Sequence, residues 1–458
     1  MEAVIAISVT LKSLYQPMPG RIGLAKCPSR TDELDALVRI LLSHNAMRWV
    51  IVMVLFGLLL IPPVYAGDWP QILGPERNGH ATNELPLKPW SEAGPKVLWS
   101  HQIGNGYAGP AVVGGQAVVF HRVGDMERVE ALDSATGTRR WKADFPATYT
   151  GGMNPDKGPR CVPLIHGNHV YVFGSAGSLH CVKLDDGTKQ WSREVVSEFH
   201  GSDGYFGAAS TPIVADDKLL VNVGGQGAGL VAFDLNSGEM IWKTTDEQAS
   251  YSSPISTAFR GQQHVIFLTR LNVVSVDPRS GTVRFRFPFG RSGPTVNAAT
   301  PLIFGDHLFV TAAYGIGAQV VRIDRDPPTQ VWANDTVISS QYTTCVYHKG
   351  FLYGTHGRED FANGELRCLT AITGKLQWSV KGFGIAHLIL VENQLLILTT
   401  DGKLYLARAS PNGFLELARR QLTTKTTRAL PSLSNGRFYF RDNDSTGGRL
   451  RCLALSSD

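Results

Sequence analysis

Downstream of residue 95 the apolar positions come in short runs split by Gly, Asn and Asp, with few stretches of helical period. One unit shows the pattern. Residues 210–215 lead to a turn at Asp216 and Asp217, 218–223 to the Gly-rich stretch 224–229, and 230–234 to Asn236, Ser237 and Gly238, before Met240-Ile241-Trp242. Such runs predict four strands joined by hairpins, and four strands in about 45 residues make one propeller blade.

The unit recurs. ALDSATGTRRW ends at Trp141, CVKLDDGTKQW at Trp191, AFDLNSGEMIW at Trp242, SVDPRSGTVRF at Phe285, RIDRDPPTQVW at Trp332 and CLTAITGKLQW at Trp378. ARASPNGFLEL closes a degenerate copy at Leu417, and KVLW supplies Trp99 without the first half of the motif. The C-terminal CLALSSD supplies that first half, from Cys452, without a Trp. These complementary ends predict an all-β, eight-bladed propeller over residues 95–458, its ring closed where the strand around Trp99 pairs beside the strand around Cys452. The rival, an open solenoid, needs no such ends. Gly137, Gly187, Gly238, Gly281, Gly374 and Gly413 stand at the last turn, where a positive φ is expected. RIDRDPPTQVW has no Gly there.

The N-terminal region reads differently. Trp49 to Ile61 is an unbroken apolar or Gly run after Met47-Arg48, and Val64 and Ala66 suit a signal-peptidase cut before Gly67. The run is short for a membrane span. Residues 47–66 are therefore expected to be a signal peptide and 1–46 a non-native upstream extension, with translation starting at Met47. Residues 67–94 form a lead-in segment. The expected location is the periplasm or cell envelope.

Composition adds little. The formal charge of +5 comes with no Lys/Arg cluster, so no nucleic-acid partner is expected, nor a membrane span after cleavage; the expected state is a monomer. The five cysteines after the signal, Cys161, Cys181, Cys345, Cys368 and Cys452, show no C-x-x-C or adjacent pair. They read as small buried apolar residues.

The motif A-L-D-x-x-T-G-x-x-x-W resembles the tryptophan-docking repeat of quinoprotein alcohol dehydrogenases. It is similar also to PQQ-like propellers, including BamB-type assembly factors and polyvinyl-alcohol dehydrogenase-like exported bacterial proteins. The resemblance implies that Trp99, Trp141, Trp191, Trp242, Phe285, Trp332 and Trp378 dock neighbouring blades. Such a device carries no chemistry by itself. Two functions stay open: a binding or scaffolding module of the cell envelope, or a PQQ-dependent dehydrogenase oxidising an alcohol or sugar. No cofactor is assigned under the first; PQQ with calcium belongs only to the second. The partner is another envelope protein or a small ligand at the channel mouth.

A site at that mouth would be built from the loops that follow each anchor. Arg160, Lys157 and Arg291 would clamp an anion such as a carboxylated quinone, and Asn297 would lend calcium an amide oxygen. Tyr205 joins this cofactor group, and Asp203 is the candidate base, as Asp156 also is. Each residue taken singly also fits a solvated loop, with Asp and Asn making turns.

Overall fold

The computed structural model describes residues 67–455 except Asp203, Asp326, Ser445 and Thr446. The expected upstream extension and signal peptide, and the candidate base Asp203, lie outside the described residues.

Eight four-stranded antiparallel sheets follow one another along the chain. Blades 1 to 7 span 111–146, 164–193, 213–244, 255–288, 302–334, 346–380 and 386–421, each with its strands in sequence order. Blade 8 takes three strands from the C-terminal end, Ser432–Ser434, Arg437–Asp444 and Gly447–Ala454, and its outermost strand, Lys96–Ile103, from the N-terminal segment. The register pairs Trp99 with Cys452 and Ile103 with Gly448, so the ring closes as the split ends required. First strands of neighbouring blades touch and surround the axis. Among the described residues helix is almost absent: one short α-helix, Val195–Glu198, lies between blades 2 and 3.

The hydrophobic core sits between blades. One cluster joins Tyr171, Phe173 and Cys181 of blade 2 to Leu219, Val221 and Phe233 of blade 3; equivalent clusters recur around the ring. Because both faces of a middle strand meet a neighbouring blade, runs such as Leu219-Leu220-Val221 are buried throughout. All five described cysteines are free and buried.

The anchors sit at a repeated irregularity. In blade 1 the register shifts between Ala131, opposite Trp141, and Leu132, opposite Arg139, which leaves Arg140 as a bulge. The same step occurs in the last strand pair of every blade. It corrects two sequence alignments. In blade 5 Val320, not Arg322, faces Trp332, so that hairpin runs one residue pair further and RIDRDPPTQVW begins at its last pair, Arg322 with Thr329. In blade 7 Ala418 faces Leu406 and holds the anchor position, whereas Leu417 falls in the bulge.

Each anchor indole reaches the next blade. The Nε1–H groups of Trp99, Trp141, Trp191 and Trp242 donate to the carbonyls of Ser134, Leu184, Leu235 and Pro278, at 2.6–3.0 Å. Trp332 and Trp378 donate to Ala371 and Ser410. The turn glycine lies flat against the ring: a Cβ on Gly187, at φ +74°, would stand 2.5 Å from Trp141. Phe285, without an indole N–H, precedes the blade whose last turn has no glycine, and it lies in one buried cluster with Leu308, Val310 and Ile323.

The lead-in segment lies across the axis. Trp69 bridges Val112 of blade 1, and Ile165 N–H of blade 2 donates to Pro70. Farther along, His80 meets Tyr347 of blade 6 and Ala81 meets Leu390 of blade 7. Glu84 accepts from Asn435 and Gly436 in the first hairpin of blade 8. Between them Arg77, 2% exposed, donates to the carbonyls of Thr211, Pro212 and Pro254 and to Gln71 Oε1. These acceptors are neutral, and burial lowers the guanidinium to about 9.

Candidate functional site

In an antiparallel meander the connections from one blade to the next emerge on the same face as the hairpins between second and third strands. That face therefore carries the loops 104–110, 147–163, 194–212, 245–254, 289–301, 335–345 and 422–431. The lead-in contacts with Asn435, Gly436 and Gln394 lie at first hairpins, on the opposite face.

At the centre of the loop face Tyr107 stands between two arginines. The guanidinium carbons of Arg160 and Arg428 lie 5.7 and 5.8 Å from its ring centroid. Arg160 donates to the carbonyls of Gly158 (2.7 Å) and Asp156 (2.9 Å), and burial lowers its pKa, opposed by the Asp156 charge. Arg428 pairs with Glu359 Oε2 at 2.7 Å, and the Tyr342 hydroxyl donates to the same oxygen at 2.7 Å. Burial and the Glu359 charge push Tyr342 well above its ordinary value. His387, bonded to the Arg428 carbonyl at 2.8 Å, is pushed down to about 4 by burial. Loops entering blades 1, 2, 6 and 8 thus meet in one polar network. Tyr342, His387 and Arg428 stand on or beside the loops expected to line a site, whereas Tyr107, on the loop entering blade 1, and Glu359, in the hairpin between the second and third strands of blade 6, carry no such signal in the sequence.

The sequence candidates do not converge. Arg160 joins Tyr107, but Lys157, three residues earlier, lines a separate cleft with Arg122 and Arg139. Tyr205 reaches the loop of exposed Arg291 through a 3.4 Å contact of its hydroxyl with the Gly293 carbonyl. Asn297 is fully buried: its amide nitrogen donates to the carbonyls of Thr269, Arg270 and Phe289, which braces a loop. Asp156, the alternative base, accepts from the backbone N–H groups of Gly106 and Gly158.

A quinone with its calcium would require carboxylate and amide oxygens open to this face. Three carboxylates near this face are engaged within the chain, and Asn297 Oδ1, which has no hydrogen-bond partner, is fully buried. Asp156 holds two backbone amides, Glu359 holds Arg428 and Tyr342, and Glu247 holds Thr269, Asn272 and Arg286. Among the described residues no three His, Cys, Asp or Glu side chains are placed to hold a metal ion. This donor set does not fit the group.

Comparison with known proteins agrees with the architecture. An outer membrane protein assembly factor BamB from Moranella endobia is 23% identical over 345 residues, covering 72% of this chain and 74% of that protein. The quinoprotein alcohol dehydrogenase PedH of Pseudomonas putida is 26% identical over only 133 residues, 27% of this chain and 21% of its own. Among solved structures, BamB from Moraxella catarrhalis superposes with a TM-score of 0.57 at 15% identity, over 78% of this chain and 97% of that one. A europium-containing methanol dehydrogenase gives 0.65 at 12% identity, over 85% and 98%. Likeness at such identities speaks for the shared fold alone. The family model described as outer membrane protein assembly factor BamB matches residues 125–380, more than half of the chain, and the chain belongs to that PQQ-like propeller family.

Proposed function

We propose that this chain is a binding or scaffolding module, exported to the cell envelope, whose loop face receives another envelope protein. The relatives named as outer membrane protein assembly factors support the setting. The observation that carries the reading is the apolar surface of the loop face: Met153 and Phe361 are 69% and 66% exposed, and Tyr205 and Leu271 are exposed beside the same ring of loops. Large apolar side chains held out by rigid blades suit protein contact. The engaged carboxylates weigh against quinone chemistry. No helix among the described residues is long and apolar enough to cross a membrane.

The test is crosslinking in intact cells with the tagged full chain. Met153→Asp and Phe361→Asp are expected to abolish a specific adduct that Leu85→Asp, on the opposite face, retains. Loss with all three, or with none, would overturn the assignment of the loop face. Amino-terminal sequencing of the mature protein is expected to begin at Gly67. An absorbance titration with PQQ and calcium is expected to show no stoichiometric uptake; uptake with alcohol-dependent dye reduction would replace this reading by the dehydrogenase.

A further inference from the structure

Where the N-terminal strand of blade 8 abuts blade 1, the groove between blades opens into a cleft of about 670 Å³, within the range of small-molecule sites (about 300–1,000 Å³). It is bounded by the end of the closing strand, by the hairpin after His121, and by Pro155 and Lys157 of the next loop.

The floor is a buried carboxylate. Glu130 is 1% exposed, and its Oε1 accepts from His121 Nε2 at 2.9 Å, with His101 Nε2 at 3.3 Å. His121 Nδ1 accepts the Gly104 N–H at 2.9 Å, so its proton sits on Nε2 and the ring is a neutral donor. Burial alone would raise the Glu130 carboxyl, but the bonds from His101 and His121 hold it down at about 2. Glu130 Oε2 has no hydrogen-bond partner; the nearest cation, Arg139 Nη1, stands 3.7 Å away. A buried acceptor of this kind calls for a donor.

The walls carry the opposite charge. Arg122, Arg128, Arg139 and Lys157 line the cleft against Asp125 and Glu130. Arg128 is neutralised by a two-point contact with Asp144, and Asp125 faces Arg122 at 3.8 Å. Arg139, half exposed, and Lys157, exposed, are left facing solvent above the carboxylate. A bare inorganic anion satisfies these cations but sets its oxygens against Glu130. A neutral polyol satisfies the floor but brings no charge to Lys157 and leaves Arg139 with only its 3.7 Å contact to Glu130. Both needs are met by one molecule that carries a hydroxyl donor and an anionic group.

We propose that the seam between blades 8 and 1 binds a small hydroxylated anion, a sugar bearing a carboxylate or phosphate monoester. One hydroxyl donates to Glu130 Oε2, and the anionic group meets Arg139 and Lys157. This site is independent of the loop-face reading, which concerns the exposed apolar side chains around the axis.

Calorimetric titration of the full chain with glucuronate, galacturonate, gluconate and glucose 6-phosphate tests it, with glucose and sulfate as controls. At least one hydroxylated anion is expected to bind tenfold or more tighter than both controls. Lys157→Ala, at an exposed position, is expected to weaken it several-fold and to steepen no other property. Glu130→Gln is expected to erase the preference over sulfate; should that variant fail to fold, Arg139→Gln, with a tenfold loss of affinity for the sugar anion, decides in its place. Sulfate binding as tightly as the sugar anions, or no binding by any of the four below 10 mM (on the order of 3 kcal/mol), would overturn the proposal.

Discussion

Trp99 and Cys452 face each other across the strand pair that closes the ring, and the Trp99 indole N–H also donates to the Ser134 carbonyl of blade 1. One residue near the start of the propeller thereby completes blade 8 and ties it to blade 1. Tyr439 strengthens the junction: its ring lies 5.9 Å from Trp99, and its hydroxyl donates to the same carbonyl at 3.2 Å.

Removing the indole should loosen this closure in two steps. Trp99→Phe keeps most of the buried area and gives up one hydrogen bond, an expected loss of about 1 kcal/mol. Trp99→Ala also empties an interblade space and is expected to cost about 3–5 kcal/mol. Denaturant titration followed by circular dichroism checks both; equal losses would assign the effect to the hydrogen bond alone.

Two motif glycines separate backbone strain from steric contact. Gly187 and Gly413 both have positive φ, at +74° and +142°, but a Cβ on Gly413 meets nothing within 4 Å whereas one on Gly187 strikes the Trp141 ring at 2.5 Å. Gly413→Ala is expected to cost about 1 kcal/mol from the backbone. Gly187→Ala adds overpacking and should cost about 2–4 kcal/mol in all. Matched melting curves measure the difference.

Arg77 should be the latch of the lead-in segment. Its removal strands the buried carbonyls of Thr211, Pro212 and Pro254, which burial makes costly. Arg77→Met is expected to expose residues 67–94 to limited proteolysis under conditions where the wild-type segment resists, with the blades still folded. Unchanged cleavage kinetics would show that Trp69 and Glu84 suffice to hold it.

Acid should destabilise the protein from below about pH 6.5, the ordinary histidine value. Burial pushes His180 down to about 3, and His264 and His387 to about 4. His180 and His264 stack on Phe145 and Phe259, and each leaves its Nε2 without a partner, so an added proton finds no acceptor. Between those values and 6.5 the unfolded chain binds the additional protons, and stability falls as the pH falls. Each histidine contributes a slope of about 1.4 kcal/mol per pH unit. His180→Gln is expected to reduce the slope measured between pH 4.5 and 6 by about one proton; an unchanged slope would refute the assignment.

The blade count, the closing pair and the turn glycines could be read directly because each is a local rule repeated at near-constant spacing. Alternation sets the strands, and a turn that needs positive φ selects Gly at Gly137, Gly187 and Gly238. The additional residue pair in the last hairpins of blades 5 and 7 escaped that reading. Residue spacing alone does not reveal where a bulge resets the register, and so Leu417 was aligned in place of Ala418.

The candidate site was legible only as a list of loops. Sequence places Lys157 and Arg160 side by side, but the turn held by Asp156 sends one to the cleft beside blade 8 and the other to Tyr107. Glu130 reads as an ordinary strand residue until blade 8 brings His101 over it. The repeating sequence therefore specified the propeller and its closure, since those depend on local patterning and on ends that complete one blade. Which charged groups meet, and that the lead-in crosses the axis with Arg77 at its centre, were settled by packing among distant segments, because charge pairing and desolvation depend on neighbours in space.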